Sequence, residues 1–200
     1  YILVFTDNGR VYWLKVYEIP DVGTAGRGRN ITNLVNVQPG EKVAALLSVG
    51  KEFHPDKYVV MVTRHGVIKK SALTEFDNPI SRGIIAILLD EGDELIGAKL
   101  TSGRQHIFLA SRQGMSILFP EEDVRPVGRQ ARGVTAMDLE QGDYLIGMEA
   151  VTLEEGRKQD AGLILTATEN GYGKRTPISQ YRIQSRAGKG VINVKATQRN

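Results

Sequence analysis

Residues 169–191 read ENGYGKRTPISQYRIQSRAGKGV, and this stretch decides the fold because it is the most informative copy of a pattern that the chain repeats four times. It opens on Asn170-Gly171, the pair that most readily supplies the two positive-φ residues of a tight hairpin turn. It then carries Lys174, Arg175, Arg182, Arg186 and Lys189 within sixteen residues, with Tyr172 and Tyr181 among them and no carboxylate after Glu169. Such a run predicts a surface suited to a polyanion.

Working outward, three other segments align with it on two glycine landmarks. The first is a hairpin turn: Asn8-Gly9 before RVYWLKV, His65-Gly66 before VIKKSAL, Gln113-Gly114 before MSILFPE and Asn170-Gly171 before YGKRTPI. The second is a small-residue or basic loop ending in glycine: AGRG (25–28), SRG (81–83), QARG (130–133) and AGKG (187–190). The landmarks lie 19, 17, 19 and 19 residues apart, and the unit recurs every 48 to 57 residues. Agreement in four copies identifies an internal repeat.

Each unit begins with an apolar strand (2–6, 58–63, 107–111, 163–168) that runs into the tight turn and a second strand. After the basic loop comes a third strand, such as 84–88 or 191–194. A Gly-acid turn follows (Gly40-Glu41, Gly92-Asp93, Gly142-Asp143), and a fourth strand (43–49, 94–100, 144–151) closes the unit. Four strands in about 50 residues is the grammar of a propeller-like blade. The fold class is therefore all-β, with blades near 1–50, 57–101, 105–153 and 161–200 joined by the polar linkers KEFHPDK, TSGRQ and LEEGRKQD. The last unit lacks its Gly-acid turn and fourth strand, so an open crescent with an incomplete terminal blade is expected.

Composition is consistent with this. The 200 residues are 41% hydrophobic, enough for a packed core, and include 22 glycines. With no cysteine there is no disulfide framework, thiolate zinc site or cysteine nucleophile, which fits a reducing compartment. No run of about 18 apolar residues occurs, no signal sequence precedes the first strand, and a cytoplasmic protein is expected.

Net charge is only +3, but it divides by repeat as 0 for 1–56, +1 for 57–104, −4 for 105–157 and +6 for 158–200. Phase carries more information than the total. Arg10 and Lys15, Lys69 and Lys70, and Lys174 and Arg175 fall on the second strand of three units. Arg27 and Arg29, Arg82, Arg129 and Arg132, and Arg186 and Lys189 fall in the loop, with Arg182 close by. On stacked blades one repeat phase becomes a stripe along an edge, and a stripe of cations follows a phosphate backbone. The third unit breaks the strand part of the stripe with MSILF and Pro120-Glu-Glu-Asp123.

A catalytic reading finds no support. Gly173-Lys174-Arg175-Thr176 has the wrong spacing for a phosphate-binding loop, since arginine separates lysine from threonine and Thr168 stands where glycine is required. His54, His65 and His106 form no metal-spaced pair or triad. Glu121-Glu122 and Asp90-Glu91 read as solvated acids, and Trp13 and Phe119 as core. No catalytic residue, metal or cofactor is expected.

GYGKRTPISQY (171–181) and SRAGKGVI (185–192), with KKSALTEF (69–76) and DEGDELIGAKLTSG (90–103), resemble the C-terminal domain of the DNA gyrase A subunit over essentially the whole chain. The resemblance implies a β-pinwheel whose basic rim binds, bends and wraps double-stranded DNA. It also implies partnership with the gyrase B subunit, through the rest of the gyrase A subunit, in ATP-dependent negative supercoiling. The A-type subunit of topoisomerase IV has a more divergent domain of the same kind, and GYGKRT with regular arginine loops favours gyrase. The family pattern has six blades and a glutamine-arginine-glycine-rich gyrase box; four units and no such box occur in these residues, as expected of a piece of a longer chain. A propeller-like protein-interaction scaffold is the alternative from another class, and it lacks Trp-Asp or kelch signatures.

Overall fold

The computed structural model describes residues 1–153, 162–195 and 197, so the expected linker LEEGRKQD lies almost wholly outside the described residues. The described residues form fourteen strands: β1 (Ile2–Thr6), β2 (Arg10–Leu14), β3 (Val43–Ser48), β4 (Tyr58–Thr63), β5 (Val67–Ala72), β6 (Ile84–Ile85), β7 (Leu95–Thr101), β8 (His106–Ser111), β9 (Met115–Pro120), β10 (Val134–Thr135), β11 (Leu145–Val151), β12 (Leu163–Ala167), β13 (Gly173–Pro177) and β14 (Val191–Ile192). They pair as three four-stranded sheets, β3-β1-β2-β6, β10-β5-β4-β7 and β11-β8-β9-β14, and one two-stranded sheet, β12-β13. The all-β blade architecture is thus as the sequence indicates.

The sheet order also changes one reading. The third strand of units two, three and four leaves its own blade and completes the preceding one, where Ile84 pairs with Val11, Val134 with Ile68 and Val191 with Ser116. Among the described residues blade four consequently keeps two strands, not three, because β14 belongs to blade three. Exchange suits the sequence: a connection of 11 to 13 residues joins the second strand to the third, long enough to carry the chain to the neighbouring blade. The inner strands pack in series, β3 on β7 and β7 on β11, and among the described residues no comparable packing returns from β12 to β3.

The turns differ from the two-residue form that Asn-Gly favours. Gly9, Gly66, Gly114 and Gly171 have φ of +73°, +85°, +87° and +82°, while Ala187 is the only non-glycine at positive φ among the described residues. Each glycine N–H donates three residues back, to Thr6, Thr63, Ser111 and Thr168. These are three-residue hairpins with glycine in the bulge position. That geometry aims the glycine carbonyl outward, and it accepts the incoming strand of the next unit: Ala86 N–H on Gly9 O at 2.8 Å, Ala136 N–H on Gly66 O at 2.7 Å and Asn193 N–H on Gly114 O at 2.8 Å.

The core lies between blades. Along β4, Val59 and Met61 face Leu3, Phe5 and Phe76 on the side of blade one, while Val60 and Val62 face Ile107, Leu109 and Phe119 on the side of blade three. Period-two alternation therefore reads as a continuous apolar run, because both sheet faces are covered. Phe108, Leu118, Ile178 and Tyr181 make the smaller contact between blades three and four.

Candidate nucleic-acid interface

Two acids of the Gly-acid turns, Asp93 and Asp143, cap the hairpins, while Glu41 holds a strand side chain. Asp93 Oδ1 accepts the N–H of His65 at 2.9 Å, Asp143 Oδ1 accepts that of Gln113 at 3.0 Å, and Glu41 accepts the Tyr12 hydroxyl at 2.9 Å. The second landmark glycines then lay each basic loop tightly on the preceding blade. A Cβ on Gly133 would sit 2.6 Å from Ile68 O, and one on Gly190 2.2 Å from Ser116 O. Gly28 is different: nothing lies within 4 Å of its Cβ position, because no preceding sheet stands beside it in this chain.

With the loops held this way, the basic residues separate into three groups. Lys69 and Lys70, expected on the surface, are buried. Lys69 Nζ donates to Ala86 O at 2.7 Å and to Arg129 O, tying its own blade to the loop of the next unit. Lys70 Nζ donates to Glu121 O at 2.8 Å and lies 3.7 Å from the Glu121 carboxylate. Glu121 is itself fully buried, accepting from the Thr101 hydroxyl at 2.9 Å and the Gln105 N–H at 3.0 Å, so it is an interior anchor and not a solvated acid. Neither lysine can meet a phosphate, since taking the amine out would leave buried carbonyls and a buried carboxylate unpaired.

The second group holds carbonyls of the exchanged strands and loops. Arg10 donates to Arg82 O at 2.9 Å and Gly83 O at 3.2 Å. Arg129 donates to Ile85 O at 3.3 Å, and Arg186, four residues before the next landmark glycine, makes the equivalent bond to Thr135 O at 2.9 Å. Lys174 Nζ donates to Asn193 O, the counterpart of the Lys69 bond to Ala86. The strand part of the predicted stripe is thus mostly a set of inter-blade staples, although Arg10, Arg129, Arg186 and Lys174 keep part of their surface in solvent.

The third group is exposed. Arg27, Arg29, Arg82, Arg175 and Arg182 face solvent. No hydrogen-bond or ion-pair partner for these side chains occurs among the described residues. Lys15 is exposed beside Glu18 at 3.7 Å. Arg132 pairs with Asp90, and Lys189 with Glu140 at 2.7 Å. The absence of carboxylates from residues 170–191 therefore does not leave that run unopposed, because the acids come from the neighbouring unit. Tyr181 is core and Tyr172 is exposed.

Two arginines escaped the sequence reading. Arg64 stacks 3.7 Å from the centroid of Tyr144, and Arg112 lies 5.7 Å from the same centroid. Both directly follow a first strand and stand two residues before a turn glycine, a repeat phase that carries Asp7 and Glu169 in the other units and so shows no basic consensus.

Burial pushes the Lys69 amine down to about 8, helped by the Arg129 guanidinium and opposed by the Glu75 carboxylate. An unfolded lysine titrates near 10.4, so between about pH 8 and 10.4 the unfolded chain binds the extra proton and stability gained through this group rises with pH. Below pH 8 the full cost of a buried cation is carried. In thermal melts at about pH 7.5 and 9.5, the wild-type melting temperature is expected to rise relative to that of Lys69→Met. A constant difference would show that the amine is not desolvated.

The family profile described as DNA gyrase C-terminal domain, β-propeller, matches residues 1–49, 57–102, 105–152 and 162–199. The DNA gyrase A subunit of Klebsiella oxytoca is 45% identical over 199 residues, covering 100% of this chain and 22% of that protein. Its counterpart from Escherichia coli K12 is 42% identical over 200 residues, again 100% of this chain and 22% of the relative. The chain thus spans about a fifth of the length of these relatives. Among solved structures, the C-terminal domain of DNA topoisomerase IV superposes with a TM-score of 0.84 at 28% identity over 96% of this chain and 57% of that one. A DNA gyrase A C-terminal domain gives 0.81 at 26% identity over 100% of this chain and 62% of that one. On the matched repeats and the shared fold, the chain belongs to the DNA gyrase C-terminal domain family.

Proposed function

We propose that this chain is the part of a gyrase A subunit that binds double-stranded DNA, bending and wrapping it for ATP-dependent negative supercoiling by the complete enzyme with its B subunit in the cytoplasm. The observation that carries the reading is the recurrence of Arg27, Arg82, Arg132 and Lys189 directly before the landmark glycine of four successive units. Two of these four, with Arg29, Arg175 and Arg182, have no partner among the described residues. Phosphates contacted at one repeat phase constrain the duplex path over several blades. Bending 20–30 base pairs by 40–90° costs on the order of 1–6 kcal/mol, which contacts at a single blade could not offset. Sequence preference is expected to be slight, because phosphate contacts position without specifying.

The site set narrows accordingly. Lys69 and Lys70 drop out, and the fourth unit contributes Arg175, Arg182 and Lys189 more than Lys174 and Arg186. In a gel-shift titration with linear duplex, log K against log salt is expected to fall with a slope of about −5 if roughly six phosphates are neutralised. Replacing Arg27, Arg29, Arg82, Arg175 and Arg182 by alanine should flatten it by up to about 0.9 for each phosphate no longer neutralised, similarly for any sequence. Affinity that hardly changes with salt would overturn the proposal.

A further inference from the structure

Two of the exposed ion pairs across blades, Arg132 with Asp90 and Lys189 with Glu140, are one interaction made twice. Arg132 and Lys189 each directly precede a landmark glycine, and Asp90 and Glu140 each stand two residues before the glycine of a Gly-acid turn in the preceding unit. The Lys189 amine is held above the ordinary lysine range by its bond to Glu140 and by the nearby Asp138. At the first junction the basic residue is Arg82, and the place of Asp90 and Glu140 is taken by Gln38, which precedes Gly40 by two residues. Arg82 is exposed, and no carboxylate pairs with it among the described residues.

We propose that Asp90 and Glu140 are intramolecular stand-ins for phosphate that mask the rim cations Arg132 and Lys189, leaving Arg82 as the one of the three junction cations that a phosphate meets without displacing a carboxylate. The proposal rests on the reading of this rim as a duplex-binding surface. An exposed pair of this kind is weak and screened by salt, so a phosphate can displace the carboxylate. The displacement consumes part of the binding free energy at the second and third junctions and none at the first. Affinity is thereby graded among the three junction cations: a phosphate meets Arg82 freely, and Arg132 and Lys189 only when the duplex path brings phosphates close enough to displace their carboxylates. Because the released acid remains close, each masked contact reverses readily, which suits a surface on which DNA must be both wrapped and released.

The test uses the chain as it stands, a fluorescent 40-base-pair duplex, and affinities at two salt concentrations. Asp90→Asn and Glu140→Gln together are expected to tighten binding about fivefold and to steepen the salt slope by up to about 0.9 per freed cation. Glu91→Gln removes the same charge next to Asp90 from an exposed side chain that has no ion-pair partner among the described residues, and it should change affinity less than twofold. In an Arg132→Ala background the gain from Asp90→Asn should disappear, which separates release of a partner from a general change in charge. Conversely, Gln38→Glu should weaken the wild type severalfold. If the wild type binds duplex but Asp90→Asn matches Glu91→Gln, or its gain survives Arg132→Ala, the masking proposal fails while the DNA-binding reading stands. If the wild type does not bind duplex at any salt, the underlying reading fails with it.

Discussion

Replacing Lys70 by alanine should lower the stability of this domain by about 3–5 kcal/mol, the cost of leaving one member of a buried ion pair without its partner. The Glu121 carboxylate would keep the Thr101 hydroxyl and the Gln105 N–H but lose the only cation within ion-pair distance among the described residues, in a position with no solvent exposure. The Glu121 carbonyl would lose the Nζ donor at 2.8 Å as well. For a domain whose total stability is of order 5–15 kcal/mol, that loss is visible as a large fall in the urea midpoint. Glu122→Gln, on the exposed neighbour of Glu121, should stay within about 0.5 kcal/mol. The double substitution Lys70→Met with Glu121→Leu should recover only part of the loss, since it removes the unpaired charge but leaves the Thr101 hydroxyl and the Gln105 N–H without their acceptor. A Lys70→Ala loss under about 1 kcal/mol would mean that water reaches the pair.

Gly190→Ala is the second substitution expected to have a large effect, and for a different reason. At φ +80° a Cβ at this position would lie 2.2 Å from Ser116 O and 3.0 Å from Met137 Cε, so β14 could not reach β9 at its present spacing. Left-handed backbone strain of about 1–2 kcal/mol adds to an overpacking cost of about 1–3 kcal/mol. Damage should be local: hydrogen exchange is expected to lose protection at Asn193 and Val194, whose amides bond to Gly114 O, while β1 and β2 keep theirs. Gly28→Ala, at the equivalent repeat position but with nothing within 4 Å, should be close to neutral. Equal effects of the two substitutions would show that the exchanged strand does not depend on the close approach.

The contrast between these two glycines shows where sequence reading was sufficient and where it stopped. The repeat, the strands, the hairpin positions and the all-β class were legible because glycine landmarks and period-two alternation are local consequences of backbone sterics and of burying sheet faces. The family resemblance was legible for the same reason, since its motifs are these landmarks with their flanking cations. Alternation tells a strand which face to bury, but not which neighbour it pairs with. β6, β10 and β14 are paired over two residues each, too short to carry a partner preference of their own, so the exchange between blades came only from the tertiary arrangement.

The same limit governed the cations. Lys69 and Lys70 look like Lys174 and Arg175 in sequence, and the phase of the repeat is the same. Their fates differ because the residues that decide them belong to the following unit: Arg129 and Glu121 come from unit three and close over Lys69 and Lys70, whereas no further unit in this chain covers Arg175. Which side chains are basic and at what repeat phase they recur was determined by the sequence alone. Which of them remain free for a phosphate was decided by the packing of one repeat on the next, because burial and pairing are properties of the interface between units and not of either unit by itself.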